Sequence, residues 1–268
     1  MPAIQPARLK HQTVELADKY ADSKAFVRGV HALFEYYANR SYRPGLAGEP
    51  QPLLPAYHAP KPVLRQVVLE LSPFIELDHL AVLDLAEALW GEAQLECKLL
   101  AASILGKIPA EPPEKILERV RSWVKPGTDD RVLDALVGEG MNRLREESLG
   151  AYLEQTEAWL AAGEILDSRL GLKALFYLLN GKGFENLPFL FRLLAPIVRA
   201  APFKLREDLV KVIGSLARRY PNETSFFFRE NLKIQTDNPG TGWVIRNSIG
   251  FFPPENQASL RAALRENL

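Results

Sequence analysis

The sequence has few of the residues that usually reveal a metal site or a covalent active site. Its 268 residues include a single cysteine, Cys97, so no internal disulfide is possible. The four histidines lie far apart, and none has a cysteine or paired acids at the spacing of a zinc site. The glycines of NGKGFE at 180–185 follow a helical pattern and not a strand, so they do not form a phosphate-binding loop. We therefore expect neither a metal ion nor a cofactor.

Long apolar runs are also lacking. No stretch approaches the roughly 20 apolar residues that a membrane-spanning helix needs. The first twenty residues, MPAIQPARLKHQTVELADKY, have no unbroken apolar core of the kind found in signal peptides. These absences predict a soluble, cytoplasmic protein with no membrane contact. Cys97 lies among helix-forming residues in QLECKLLAAS and is expected to be a buried structural thiol.

The chain as a whole has no excess of either charge, since 33 basic residues balance 33 acidic ones. This balance excludes a histone-like polycation. The charge is uneven along the sequence, however. Residues 1–164 contain 18 Lys and Arg against 24 Asp and Glu, a net charge of −6, whereas residues 165–268 contain 15 against 9, a net charge of +6. This asymmetry favours an anionic partner for the carboxy-terminal part.

Sustained alternation of polar and apolar residues, which marks β-strands, is missing, whereas apolar residues recur every three or four positions along most of the chain. The segments LAVLDLAEALW at 80–90 and EKILERVRSWV at 114–124 show this spacing. Prolines cluster at the start of such segments and between them, as in IPAEPPEK and VKPGTDD. The pattern predicts an all-α protein.

The predicted helices follow one another through short connections, at about one helix pair per 35 to 40 residues. This rhythm is typical of HEAT-like or armadillo-like solenoids, and it predicts a repeat domain of about six helix pairs over residues 61–268. No sequence motif repeats clearly, so the prediction depends on the helix rhythm alone. A compact helical bundle is the alternative architecture.

Residues 1–60 follow a different pattern and are predicted to form the amino-terminal helix and loop of a single elongated domain. A long helix is expected from about Thr13 to Asn39. The next stretch, RSYRPGLAGEPQPLLPAYHAPKP, is rich in proline and glycine and has no helical period, which indicates an ordered loop or a linker. Within it, Tyr42 and Arg43 are suited to contact a phosphate or a groove of bound DNA. A turn stabilised by tyrosine packing is the alternative.

Four stretches share their order and spacing with a known family. AYHAPKPVLRQVVLEL at 56–71 contains a Pro-initiated helix, and LWGEAQLECKLLAASILGKI at 89–108 contains a Leu-Trp pair followed by an acid and small residues. SRLGLKALFYLL at 168–179 and VIGSLARRYPNET at 212–224 follow at the expected distances. Over about residues 56–232, the chain thus resembles the HEAT-like-repeat DNA alkylation-repair glycosylases of the AlkD type.

The resemblance implies a right-handed helical solenoid whose positively charged concave face holds duplex DNA. It also implies excision of cationic alkylpurines, in which a carboxylate stabilises positive charge on the sugar and aromatic rings pack against the lesion. The counterpart of the family's catalytic segment is DDRVLDAL, which has Asp129 where the family has tryptophan. Asp134 is the candidate catalytic carboxylate, one residue out of the gapless register. Arg169 matches the family's arginine, and Ser215 replaces a second tryptophan, so the resemblance implies a degraded site.

Asp129 and Asp130 have an alternative role at the start of a helix. Both come shortly after Pro126 and Gly127, where an aspartate accepts hydrogen bonds from free backbone amides and complements the helix dipole. Asp134 lies one turn further along, on the same side of the helix as Asp130. It either faces solvent or acts as the catalytic carboxylate.

Basic residues of the carboxy-terminal part are candidates for contact with DNA phosphates. In a solenoid, the second helix of each pair usually lines the concave surface, so cations at equivalent positions would form a stripe along a phosphate backbone. Arg218 and Arg219 end a helix, where cations also complement the dipole. Trp243 and Arg246 lie three residues apart on one helix face, and a core position for Trp243 is the alternative. The predicted DNA-binding residues are Arg169, Lys173, Lys211, Arg218, Arg219, Trp243 and Arg246, with Tyr42 and Arg43 from the loop.

Three functions are compatible with the sequence. The leading prediction is a DNA-binding HEAT-like-repeat protein related to alkylpurine glycosylases, with double-stranded or damaged DNA as its partner. The rival is a scaffold that binds a protein or peptide in the same concavity. The third is an active glycosylase that uses Asp134 and takes its aromatic groups from another repeat, at Trp159 or Trp243.

Overall fold

The computed structural model describes residues 4–41, 53–181, 184–234 and 239–266, and within these ranges the chain is helical and contains no β-strand. The predicted all-α class is therefore confirmed. The chain divides into two compact units, unit 1 at Met1–Tyr152 and unit 2 at Leu153–Leu268. None of the described helices is long and apolar enough to cross a bilayer.

Unit 1 is built from short helices, several of which pack on the helix two places further along the chain. Its helices are α1 (Pro6–Ala17), α2 (Ser23–Tyr36), α3 (Lys61–Leu77), α4 (His79–Gly91), α5 (Leu95–Leu105), α6 (Glu114–Trp123), α7 (Asp130–Ala135), α8 (Asn142–Glu147) and the start of α9 (Leu149–Ala161). A π-helical turn, Leu136–Gly140, lies between α7 and α8. α3 packs on α1 and on α5, α5 packs on α7 and on the π-helical turn, and α4 packs on α2.

The predicted long helix from Thr13 to Asn39 is wrong, because the chain breaks between α1 and α2. α1 ends at Ala17, and α2 begins where the Asp22 side chain accepts a hydrogen bond of 3.0 Å from the Ala25 amide. An aspartate at this position satisfies a donor that the helix leaves free, so a new helix starts without glycine or proline. The predicted boundary at residue 60, between the amino-terminal helix and loop and the repeat domain, stays a prediction. In the structure, α1 packs on α3, and α2 packs on α4.

A short non-helical segment before α3 is tied to unit 1 by two buried carboxylates. Glu96 of α5 accepts hydrogen bonds from the amides of Tyr57 and Ala59, at 3.0 and 3.2 Å. Asp129 accepts a hydrogen bond of 2.8 Å from the amide of Leu53. Buried carboxylates are costly unless they are hydrogen-bonded, so these bonds fix the position of the segment.

Aromatic stacking fills part of the core of unit 1. The rings of Trp90 and Trp123 stack with centroids 4.5 Å apart, and the Trp123 indole donates a hydrogen bond of 2.8 Å to Glu87. The Lys98 ammonium lies 4.9 Å from the Trp90 ring centroid, and burial lowers the pKa of Lys98. Cys97 is fully buried, and burial raises the pKa of its thiol to about 12. The predicted burial of this thiol is confirmed.

Unit 2 contains two sets of neighbouring helices. After the end of α9 come α10 (Ile165–Asn180), α11 (Leu187–Ala200), α12 (Arg206–Arg219), α13 (Pro221–Ile234), α14 (Pro239–Ser248) and α15 (Pro254–Glu266). Short 3-10 turns, Phe203–Leu205 and Ile249–Phe251, precede α12 and follow α14. α12 packs on α10 and on α14, and these three helices are named the α10–α12–α14 layer. α13 packs on α11 and on α15.

α10 and α12 run in the same direction. Near their starts, Arg169 of α10 lies 3.0 Å from the carboxylate of Asp208 on α12. Near their ends, Arg219 of α12 donates a hydrogen bond of 2.7 Å to the carbonyl of Leu179 on α10. Parallel neighbours of this kind require an intervening helix to return the chain, and α11 serves this purpose.

Hydrogen bonds that join different helices recur at a nearly constant separation along the sequence. Within the described residues, most side-chain bonds between elements connect positions 32 to 40 apart. Examples are Trp123 with Glu87, Glu147 with Ala110, and Asn231 with Arg199. This spacing agrees with the rhythm of about 35 to 40 residues expected for repeated helix pairs.

Candidate nucleic-acid interface

Asp129 and Asp130 lie at the start of α7, and Asp134 lies near its end. Asp129 is 5% exposed, and its carboxylate accepts hydrogen bonds of 2.8 Å from the amide of Arg131 and 2.8 Å from the amide of Leu53. Both oxygens of this side chain are thus occupied by backbone donors, and the predicted capping role of Asp129 is confirmed. Asp130 is the first residue of α7. Asp134, the candidate catalytic carboxylate, is half-buried near the end of α7.

The π-helical turn after α7 packs directly on the end of α5. A side-chain carbon at Gly106 would collide with the carbonyl oxygen of Glu139, and it would lie 2.8 Å from the carbonyl carbon of that residue. The Ser103 hydroxyl donates a hydrogen bond to the Glu139 carboxylate. The turn begins two residues after Asp134. Turns of this type are frequent at functional sites.

The two basic residues predicted on α10 are paired with a carboxylate of α12. Arg169 Nε lies 3.0 Å from Asp208 Oδ2, and Lys173 Nζ lies 3.3 Å from Asp208 Oδ1. The Lys173 side chain is 3% exposed, and the Arg169 side chain is 28% exposed. A buried cation needs a partner of opposite charge, and Asp208 supplies it. In this arrangement, Lys173 lies inside unit 2 and only Arg169 reaches the surface.

The predicted cations on α12 are exposed. Lys211 forms an ion pair of 2.8 Å with Glu207, one turn earlier on the same helix. The Arg218 guanidinium lies 5.1 Å from the ring centroid of Phe251, within the range of a cation–π contact. Arg219 is exposed and next to it in the sequence, and its guanidinium donates one hydrogen bond to the Leu179 carbonyl of α10, as described above.

Trp243 of α14 stacks on a cation of α12. The Arg206 guanidinium lies 4.4 Å from the Trp243 ring centroid and 5.7 Å from the ring centroid of Phe203. Trp243 is half-buried, whereas Arg246, three residues later, is exposed. Residues three apart lie on one side of a helix. The start of α12 and the middle of α14 thus place one guanidinium and an indole ring together.

The α10–α12–α14 layer carries more cations than carboxylates. Its three helices contain seven Lys and Arg against three Asp and Glu, and both carboxylates of α12 are paired with cations. By contrast, α11, α13 and α15 contain six Lys and Arg against four Asp and Glu. The positive charge of the carboxy-terminal part is therefore greatest on one set of helices.

The comparison with protein families shows to which family the chain belongs. A family model described as DNA alkylation repair enzyme matches residues 54–233, which is 180 of the 268 residues. The chain belongs to this DNA alkylation repair family. The match confirms the resemblance over about residues 56–232 and supports a function related to DNA repair. The chain matches no curated protein and no solved structure.

The family match includes some of the predicted site residues and leaves out others. It contains Asp134, Arg169, Lys173, Lys211, Arg218 and Arg219, whereas Trp243 and Arg246 lie beyond its end. Tyr42 and Arg43 precede it and lie outside the residues that the structure describes. Trp159, considered as a substitute aromatic group, is 5% exposed. No group of three or more His, Cys, Asp or Glu within the described ranges is arranged to hold a metal ion.

Sequence reasoning missed one residue of this member of the DNA alkylation repair family that the structure makes prominent. Phe203 lies on the turn between α11 and α12 and is 83% exposed. The signal was present in APFKLRE, where an aromatic residue follows a proline and precedes Lys204 and Arg206. Helical periodicity does not show whether a ring in a turn points toward solvent or toward the core.

Proposed function

We propose that this protein binds DNA in the repair of alkylation damage, through those cations of the α10–α12–α14 layer in unit 2 that reach the surface. The observation that carries the proposal is the placement of Arg206, Arg218, Arg219 and Arg246 on α12 and α14, together with Trp243. The carboxylates nearest to them on α12 are neutralised by ion pairs. Arginine is well suited to phosphate, because its guanidinium presents several donors and keeps its charge.

We also propose that the helix pairs form a right-handed HEAT-like solenoid of about six pairs. The proposal is supported by the parallel neighbours in unit 2 and by the separation of 32 to 40 residues between bonded positions. In such an architecture, equivalent cations of successive pairs lie along one surface. Regular spacing of this kind suits a ligand with regularly spaced phosphates.

The first test of the function is the salt dependence of DNA binding. If four arginines each neutralise one phosphate, the logarithm of the association constant falls against the logarithm of salt concentration with a slope of about −3.6. Fluorescence anisotropy of a labelled duplex at several salt concentrations measures this slope. The absence of binding at the lowest salt concentration would exclude the proposal and favour the protein-binding scaffold.

Charge reversal at the end of α12 tests which surface binds. We expect the double variant Arg218→Glu and Arg219→Glu to bind duplex DNA at least about tenfold more weakly, because two phosphate contacts become repulsive. The slope of the association constant against salt concentration is expected to become shallower, from about −3.6 to about −1.8, since two of four contacts remain. Both quantities are measured by the same anisotropy titrations. A melting curve shows whether the loss of the Arg219 bond to α10 affects folding.

The matched control reverses two arginines of the other helix set. Arg261 and Arg265 of α15 are both exposed. We expect the double variant Arg261→Glu and Arg265→Glu to bind DNA within about twofold of the parent, although its net charge changes equally. Parental affinity in the α12 variant, or an equal loss in the α15 variant, would contradict the choice of surface.

Excision of alkylated purines is a second candidate function, because Asp134 is half-buried two residues before the π-helical turn. We expect Asp134→Asn to lower the rate of alkylpurine release at least about hundredfold while DNA affinity stays unchanged, since loss of one electrostatic stabiliser has effects of this size. Asp130→Asn is the matched control. Release is measured on duplex DNA that carries an alkylated purine. Equal rates for parent and Asp134→Asn would exclude Asp134, and absence of release by the parent would leave binding as the function.

A further inference from the structure

The ring of Phe203 in unit 2 takes no part in the phosphate contacts proposed above. Phe203 is the most exposed of the large apolar side chains among the described residues, at 83%. A single exposed ring is common in soluble proteins. Phe203 differs because its neighbours are cations and a second aromatic ring.

The turn that carries Phe203 is held firmly on both sides. Before it, α11 ends at Ala201, which is buried and has a left-handed backbone with φ 34° and ψ 57°. After it, Leu205 is 2% exposed and anchors the 3-10 turn in the core. Arg206 Nε donates a hydrogen bond of 3.2 Å to the Ala201 carbonyl and so closes the turn. The ring is therefore presented to solvent from a fixed backbone.

Two aromatic rings lie within cation–π distance of one guanidinium. Arg206 Cζ is 4.4 Å from the Trp243 centroid and 5.7 Å from the Phe203 centroid. Lys204, beside Phe203, is exposed. The carboxylates at this end of α12, Glu207 and Asp208, are engaged by Lys211, Arg169 and Lys173. The aromatic surface is therefore surrounded by net positive charge.

We propose that Phe203, Arg206 and Trp243 form a stacking site for an unpaired DNA base. The Phe203 ring supplies the stacking face, and the Arg206 and Lys204 cations contact the phosphates that flank the base. Aromatic side chains beside cations bind single-stranded nucleic acid in this way, because every base has a face that stacks. The site rests on the proposed function and narrows its ligand to DNA in which a base has left the helical stack.

An unpaired base is the occupant that the charges and the exposed ring favour together. A paired base would have to be unstacked first, which costs free energy, whereas a bulged base is already available. An acidic peptide would satisfy the cations but would leave the Phe203 ring without a flat partner. A perfect duplex would likewise pair its phosphates with the cations but leave the Phe203 ring without a base to stack on.

The experiment compares two labelled duplexes of equal length, one perfect and one with a single bulged 2-aminopurine. We expect the parent protein to bind the bulged duplex about tenfold more tightly, which corresponds to about 1.4 kcal/mol, and to quench the 2-aminopurine fluorescence by stacking. Phe203→Ala is expected to lose both effects and to bind the perfect duplex within about twofold of the parent. Phe203→Trp is expected to keep both.

Phe226 provides the matched control, because it is 57% exposed on α13 and lies on the other helix set. Phe226→Ala is expected to keep the preference for the bulge and the quenching. Equal affinity of the parent for the two duplexes, or an unchanged preference in Phe203→Ala, would overturn the stacking site and leave the proposed function intact. Failure of the parent to bind either duplex would overturn the proposed function itself.

Discussion

Replacement of Asp208 by alanine is expected to lower the free energy of unfolding by about 3 kcal/mol or more. The Lys173 ammonium lies 3.3 Å from this carboxylate, and its side chain is 3% exposed. Removal of this carboxylate takes one partner from a buried ion pair, which costs about 3 to 5 kcal/mol in comparable pairs. Arg169, at 3.0 Å, loses the same partner. Chemical denaturation at neutral pH measures the effect.

The double variant Asp208→Leu and Lys173→Met is the control for this prediction. Apolar residues of similar volume often replace a buried ion pair at little cost, so most of the lost stability is expected to return. If Lys173 is structural, the double variant will bind DNA like the parent. An Asp208→Ala protein as stable as the parent would show that the pair contributes little. Weaker DNA binding by the stable double variant would support Lys173 as a DNA contact.

Substitution of Gly106 by alanine is expected to have an effect of similar size on stability. The added carbon would collide with the carbonyl oxygen of Glu139 in the π-helical turn. The atoms that it would meet belong to the backbone and not to a flexible side chain. Backbone has little freedom to move within a packed helix pair, so we expect a loss of about 3 kcal/mol in the free energy of unfolding. A thermal melting curve with circular dichroism as the signal measures the loss.

Gly150 offers a matched comparison for Gly106. It lies in α9, and a side-chain carbon there would meet no atom within 4 Å. Gly150→Ala is therefore expected to be neutral or to stabilise the protein by at most about 1 kcal/mol. A Gly106→Ala protein with the parental melting temperature would contradict the tight contact between α5 and the turn. Loss of stability in both variants would indicate a cause other than this contact.

The features that could be predicted from the sequence depend on local signals. Helical periodicity gave the all-α class, and the position of Asp129 after Pro126 and Gly127 gave the helix cap, which the structure confirms. The burial of Cys97 followed from its helix-forming neighbours. The family resemblance also depended on short ordered stretches, and the match over residues 54–233 confirms it.

The features that could not be predicted depend on packing between distant residues. The pairing of Lys173 with Asp208 joins positions 35 residues apart, and nothing near Lys173 in the sequence shows that α12 supplies a carboxylate. The exposure of Phe203 is set by the way that the turn before α12 is anchored. The break before α2 was missed because Asp22 starts the helix where neither glycine nor proline marks a boundary.

The regular separation of bonded positions has a consequence for the order of folding. A bond between positions 36 residues apart closes a loop whose length-dependent entropy cost is about 3 kcal/mol. The bond from Leu53 to Asp129 spans 76 residues, yet its closure costs only about 0.7 kcal/mol more. Loop closure therefore penalises each successive helix pair almost equally. In the proposed solenoid, folding is expected to start at the pair whose own helices are most stable and to extend from there in both directions along the chain.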